Sequence, residues 1–135
     1  MKITAVEVVP VDRYLFTRVH TDSGIVGFGE SGAWGFLEAS AAAMEKFGRY
    51  LVGKDPLQIE DHWQSMYRSS YSRSMPVLIG ALSGIEMAMW DVFGKAVGLP
   101  VWKLLGGSVR KRIRVYTGTG GTTPQQCAES AIKAV

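Results

Sequence analysis

Residues 76–97 read PVLIGALSGIEMAMWDVFGKAV, and this stretch decides what kind of protein the rest can be. It is apolar nearly all round, so a membrane span is the first alternative to weigh. A bilayer needs roughly 20 consecutive apolar residues. Here the uncharged run covers only Ser74 to Ile85, and Glu86 and Asp91 break the apolar character beyond it. The pattern therefore predicts the central helix of a globular domain, buried on several sides, and no membrane partner. Pro76 suits the first turn of that helix. Gly80, Ala81, Gly84 and Ala88 leave room for neighbours to approach closely. Gly98-Leu99-Pro100 ends it, and Val101 to Leu105 adds a short turn closed by Gly106-Gly107.

Upstream, residues 2–9 and 13–20 are rich in Val, Ile, Thr and aromatics, the composition of strands. Thr21-Asp22-Ser23-Gly24 is a turn, with Gly24 free to take positive φ, and Ile25 to Glu30 returns as a third strand. An antiparallel meander results. From Phe36, the residues Leu37, Ala41, Met44, Phe47 and Leu51 recur at helical spacing, and Gly53 stops that helix. Asp55-Pro56-Leu57-Gln58 reads as the start of the next one, with Asp as cap and Pro at the first position. That helix would set Ile59, Trp63, Met66 and Ser70 on one side.

Downstream, Arg112 to Thr117 alternates and reads as a strand, followed by the loop Gly118-Thr119-Gly120-Gly121. Thr123-Pro124-Gln125-Gln126 is a capping box. It opens a helix with Cys127, Ala128, Ala131, Ile132 and Val135 on one face. A lone strand does not make a stable sheet, and no stop signal precedes Val135. The expectation is an α+β unit over residues 1–110, with residues 111–135 opening a second unit that is cut short.

Composition agrees with a globular chain. Hydrophobic residues make up 47% and charged residues 20% of 135 positions, enough for a core without metal or disulfide staples. The net charge of +3 is too small to argue for nucleic acid. The single Cys127 excludes an internal disulfide and suits a reducing cytoplasm, and no leader pattern precedes the first strand.

Several motifs have plainer readings. Gly27-Phe28-Gly29-Glu30-Ser31-Gly32 matches a dinucleotide fingerprint, but it lies in a hairpin strand with Glu30 where phosphate would sit. Close backbone packing accounts for it better. Gly48 to Lys54 imitates a phosphate loop, yet Asp55 stands where a magnesium-binding hydroxyl belongs, so a helix stop is the better reading. His20 and His62 lack metal-ligand spacing and read as surface residues. Arg110-Lys111-Arg112 with Arg114 is a basic cluster without an aromatic platform, so it reads as a solvated connector. Trp63, Trp90 and Trp102 sit in apolar company and read as core. Trp34, between Gly32 and Gly35, is placed to face a ligand.

Four segments in order carry a resemblance. They are Gly27-Phe28-Gly29-Glu30, Gly53-Lys54-Asp55-Pro56, Ile85-Glu86-Met87-Ala88-Met89-Trp90-Asp91 and Pro100-Val101-Trp102-Lys103-Leu104-Leu105-Gly106-Gly107. Together they resemble the N-terminal part of the mandelate racemase/muconate lactonizing branch of the enolase superfamily, nearest its galactonate dehydratase-type sugar-acid dehydratases. The resemblance implies an α+β fold: a three-stranded antiparallel meander followed by a helical bundle, as in the enolase-type N-terminal capping domain. The first strand and helix of a TIM-like barrel would follow. It further implies a homo-oligomer acting on an acid-sugar carboxylate as either a dehydratase or a racemase, with Mg²⁺ stabilising an enediolate after proton abstraction.

The family's base and metal ligands lie on later barrel strands, so no catalytic or metal residue carries over to this chain, which alone would be inactive. Substrate-facing candidates are Ser31 and Trp34 at the hairpin exit, and Tyr71, Arg73 and Met75 in the loop before the long helix. Arg73 is either a carboxylate-pairing fork or a solvated loop residue. Tyr116, Thr117 and Thr119 either line a barrel mouth or pack the following turn. Many relatives carry Gly near Met75, so its bulk bears on substrate identity. The competing reading is a stand-alone binding or oligomerisation module without catalysis.

Overall fold

The computed structural model describes residues 1–32, 35–71 and 75–134. Three strands come first: β1 (Ile3–Val11), β2 (Tyr14–Thr21) and β3 (Val26–Ser31). They form one antiparallel sheet in the order β1-β2-β3, the expected meander. Along β2 the side chains alternate strictly: Leu15, Thr17, Val19 and Thr21 are buried, while Tyr14, Phe16, Arg18 and His20 are half-buried on the other face. The second turn forms as read, with the Gly24 amide donating to the Thr21 carbonyl and Gly24 at φ +81°. β1 runs two residues further than predicted, through Pro10, which pairs with Leu15. An edge strand tolerates a missing N–H there.

Four helices complete the first part: α1 (Leu37–Leu51), α2 (Ile59–Arg68), α3 (Pro76–Val97) and the short α4 (Val101–Leu104). α3 is long and apolar enough to cross a membrane. In the fold, however, Ala81, Leu82, Gly84, Ile85, Ala88, Met89, Val92 and Gly94 are buried, most extensively against β3 and then α1, β2 and α2. α2 starts later than expected. Asp55 caps a turn instead, its carboxylate accepting the Leu57 amide at 3.0 Å, and the helix begins at Ile59.

The core gathers Ile3, Leu15 and Val19 from the sheet, Met44, Phe47 and Leu51 from α1, Ile59 and Met66 from α2, and the α3 row. Each large side chain so buried contributes about 1.5–3 kcal/mol. β3 can lie this close to α3 because it carries glycine. A Cβ on Gly27 would stand 2.0 Å from the Ala88 carbonyl oxygen, and one on Gly29 only 1.9 Å from that of Gly84. The glycine pattern is thus a packing device, in agreement with the sequence reading.

The C-terminal part differs. Residues 112–117 do not form the expected strand; 107–123 carry no regular structure, and Ile113, Val115 and Tyr116 are exposed. Strand geometry needs ladder partners, and the described residues supply none to this segment. α5 (Pro124–Lys133) does form, opened by the complete Thr123–Gln126 capping box, and buries no residue. Trp63 and Trp90 pack against the core, but Trp102, on the single-turn α4, is half exposed.

Candidate functional site

The candidate site is the end of the domain where β3 runs out and α3 begins. Ser31 ends β3 as a buried residue, and its hydroxyl pairs with that of Ser40 on α1 at 2.8 Å. Ser40 in turn approaches the Val77 carbonyl in the first turn of α3, at 3.5 Å. One buried serine, Ser40, therefore joins the exit of β3 to the start of α3. This corrects the reading of Ser31 as a substrate-facing residue: its hydroxyl is committed to the interior.

The remaining candidates fall in three groups. Tyr71 is fully exposed, and Met75 caps α3 with about half its surface exposed; both can meet a ligand approaching this end. Trp34 and Arg73 lie outside the described residues. Thr117 is exposed in the connector, and no described hydrogen bond joins it to the hairpin exit or to the loop before α3.

Sequence reasoning missed two residues. Ser40 escaped because a serine in an alanine-rich helix reads as neutral, although it lies three residues after Leu37 and four before Met44, on the inward stripe. His62 read as a surface residue but is buried, with Nε2 2.8 Å from the Asp55 carbonyl oxygen. Its position between Ile59 and Met66 at helical spacing was the available signal. His20 stays near the surface, with Nε2 3.0 Å from Glu7 on the outer sheet face. There the His20 hydrogen bond, then the Arg18 one, holds the Glu7 carboxyl below its ordinary value of 4.5.

A cavity of about 90 Å³ lies between α1, α2 and α3, walled mostly by Phe47, Met66, Tyr67, Leu78 and Leu82, with Lys46, Ser69 and Ser70 as its polar lining. Its mostly apolar wall does not suit a polyhydroxylated acid. Among the described residues, no group of three His, Cys, Asp or Glu side chains is placed to hold a metal. The described residues of this chain therefore do not by themselves make up a divalent-cation site.

An antiparallel meander followed by a helical layer is the architecture of an enolase-type N-terminal capping domain. The profile of the mandelate racemase/muconate lactonizing enzyme N-terminal domain matches residues 2–106, and the chain belongs to that family. It is 46% identical over 125 residues to a D-galactonate dehydratase of Variovorax paradoxus, and 46% identical over 114 residues to one of Klebsiella pneumoniae. These matches cover 92% and 84% of this chain but 33% and 30% of the relatives. Among solved structures, an enolase of Pantoea ananatis with bound D-gluconate and magnesium superposes with a TM-score of 0.87 at 36% identity, over 98% of this chain and 33% of that one. A member of the enolase superfamily from Salmonella Typhimurium gives 0.86 at 34% identity, over 98% and 39%. The chain thus spans about a third of the length of the curated relatives it matches.

Proposed function

We propose that this chain is the substrate-capping part of a magnesium-dependent acid-sugar dehydratase. The observation that carries the reading is the 46% identity to a D-galactonate dehydratase across 92% of the chain, supported by the likeness to a gluconate- and magnesium-bound enolase. In such a reaction a base removes the proton next to the carboxylate. The β-carbon–oxygen bond then breaks as an acid protonates the departing hydroxyl, so water leaves. The resulting enol becomes a 2-keto acid. Magnesium, when bound, stabilises the charge of the enediolate.

Residues 1–110 form the cap in this reading, and residues 111–135 open a (β/α) barrel whose later strands supply base and metal ligands. The exposed alternation of Ile113 and Val115 with Arg112 and Arg114 fits a first barrel strand awaiting neighbours. The chain's own part is recognition: Trp34, Tyr71, Arg73 and Met75 over the substrate, Thr117 at the barrel mouth, with Arg73 pairing to carboxylate or hydroxyls. The enzyme would work as a cytoplasmic homo-oligomer. A stand-alone binding module is the second reading, favoured by a core that closes on itself between Ile3 and Val92.

The test joins this chain to the barrel of a D-galactonate dehydratase and measures D-galactonate turnover with Mg²⁺. Arg73→Met should raise KM about tenfold or more while kcat moves little, the pattern of lost substrate binding. An unchanged KM for Arg73→Met, Tyr71→Ala and Met75→Gly alike would remove the loops from the substrate site.

A further inference from the structure

β3 is an edge strand, so every second residue turns its backbone N–H and C=O away from β2. Val26 and Phe28 are two such residues, opposite His20 and Arg18 in the ladder. One outward group of each has a side-chain partner. The Phe28 amide donates to Asp91 Oδ2 at 2.9 Å. The Val26 carbonyl accepts from Lys95 Nζ at 2.7 Å. Asp91 and Lys95 are one turn apart on α3 and are themselves joined, Nζ to Oδ2, at 2.7 Å. The Lys95 ammonium also stands 4.8 Å from the centre of the Phe28 ring. One carboxylate and one ammonium therefore occupy one donor and one acceptor among those a fourth strand would meet.

We infer that the Asp91–Lys95 pair serves as a surrogate fourth strand, closing the outer edge of β3 to strand addition by a second copy of this chain. An unpaired edge is a template for such pairing, and charged side chains, lysine above all, are a recognised means of blunting it. The pair is suited to the task on three counts. Both bonds to the strand are charge-assisted, hence stronger than neutral ones. The i,i+4 spacing on a helix packed closely against β3 sets the two groups side by side. Phe28, about half exposed, would otherwise offer an apolar side chain beside open backbone groups, the combination that favours β-pairing. The opposite edge is guarded differently at its start, where Ile3 exchanges backbone bonds with Gly53 and Lys54.

The test uses the 135-residue chain. In the wild type, the Phe28 amide should exchange with solvent about tenfold to a hundredfold more slowly than an unstructured amide, the ratio to which a hydrogen bond to a charged group corresponds. Asp91→Ala should erase that protection in monomer and raise the concentration-dependent dimer fraction, measured by light scattering on a sizing column. Asp91→Asn, which keeps an oxygen acceptor, should stay close to wild type. Adding Phe28→Pro to Asp91→Ala removes the exposed donor and should return the dimer fraction to the wild-type level. Should Asp91→Ala not fold, Lys95→Ala, which frees the Val26 carbonyl, is read in the same way. A folded Asp91→Ala chain with the wild-type association profile would overturn the inference, and so would an unprotected Phe28 amide in the wild type.

Discussion

Two glycines in the second hairpin serve different ends. Gly29 has no room for a side chain, since its absent Cβ would meet the Gly84 oxygen at 1.9 Å and the Ala88 nitrogen at 2.9 Å, both backbone atoms. Gly24 has open space but sits at φ +81°. Gly29→Ala should therefore cost about 3 kcal/mol or more, because sheet or helix must shift, while Gly24→Ala should cost only about 1 kcal/mol of backbone strain. Urea unfolding of the two variants checks the order. At the outer sheet face the Glu7 carboxyl is held low by His20 and Arg18. A depressed carboxylate stabilises the fold above its unfolded pKa and loses that contribution as pH falls through the folded value. The stability gap between wild type and Glu7→Gln should be full at neutral pH and close as pH drops below 4.5, followed as urea midpoints against pH. The spacing of Gly27 and Gly29 already argued for close packing. The partner atoms, and the burial of His62 and Ser31, depend on which elements cross in space, and local pattern does not carry that.

Elements with strong local signals formed where the sequence placed them: the meander, the glycine stop at Gly53, the proline-opened α3, the Thr123 capping box. Those that failed needed partners. Residues 112–117 alternate as a strand should, yet backbone donors and acceptors without a neighbouring strand stay with water. The start of α2 was misplaced because Asp55 and Pro56 serve a turn equally well as a helix cap. α5 forms but rests on its own propensity and cap, and a helix of ten residues is marginal in isolation. Its amides should exchange much faster than those of Ile85, Ala88 and Met89. Thr123→Ala should lower the helical signal by removing a cap worth about 1 kcal/mol without moving the unfolding midpoint of the main core. Circular dichroism and thermal unfolding of the same sample separate the two effects.

At the scale of the molecule, family membership was legible because four segments in order, not any one of them, carried it. The candidate site was less so. The residues proposed to face substrate lie outside the regular elements, where local pattern says little, and Ser31 turned out to face the interior. The cap closes its own core but shows Phe28, Met87, Trp102 and Leu105 at the surface. These features fit a division of labour in which this part shapes and covers a site and another part performs the chemistry. The direct test compares the purified 135-residue chain with the same chain joined to a D-galactonate dehydratase barrel, assaying each for 2-keto acid release from D-galactonate with Mg²⁺. No product is expected from the chain alone, and magnesium-dependent product from the joined protein. Product from the chain alone, or none from a joined protein that folds and binds Mg²⁺, would contradict that division.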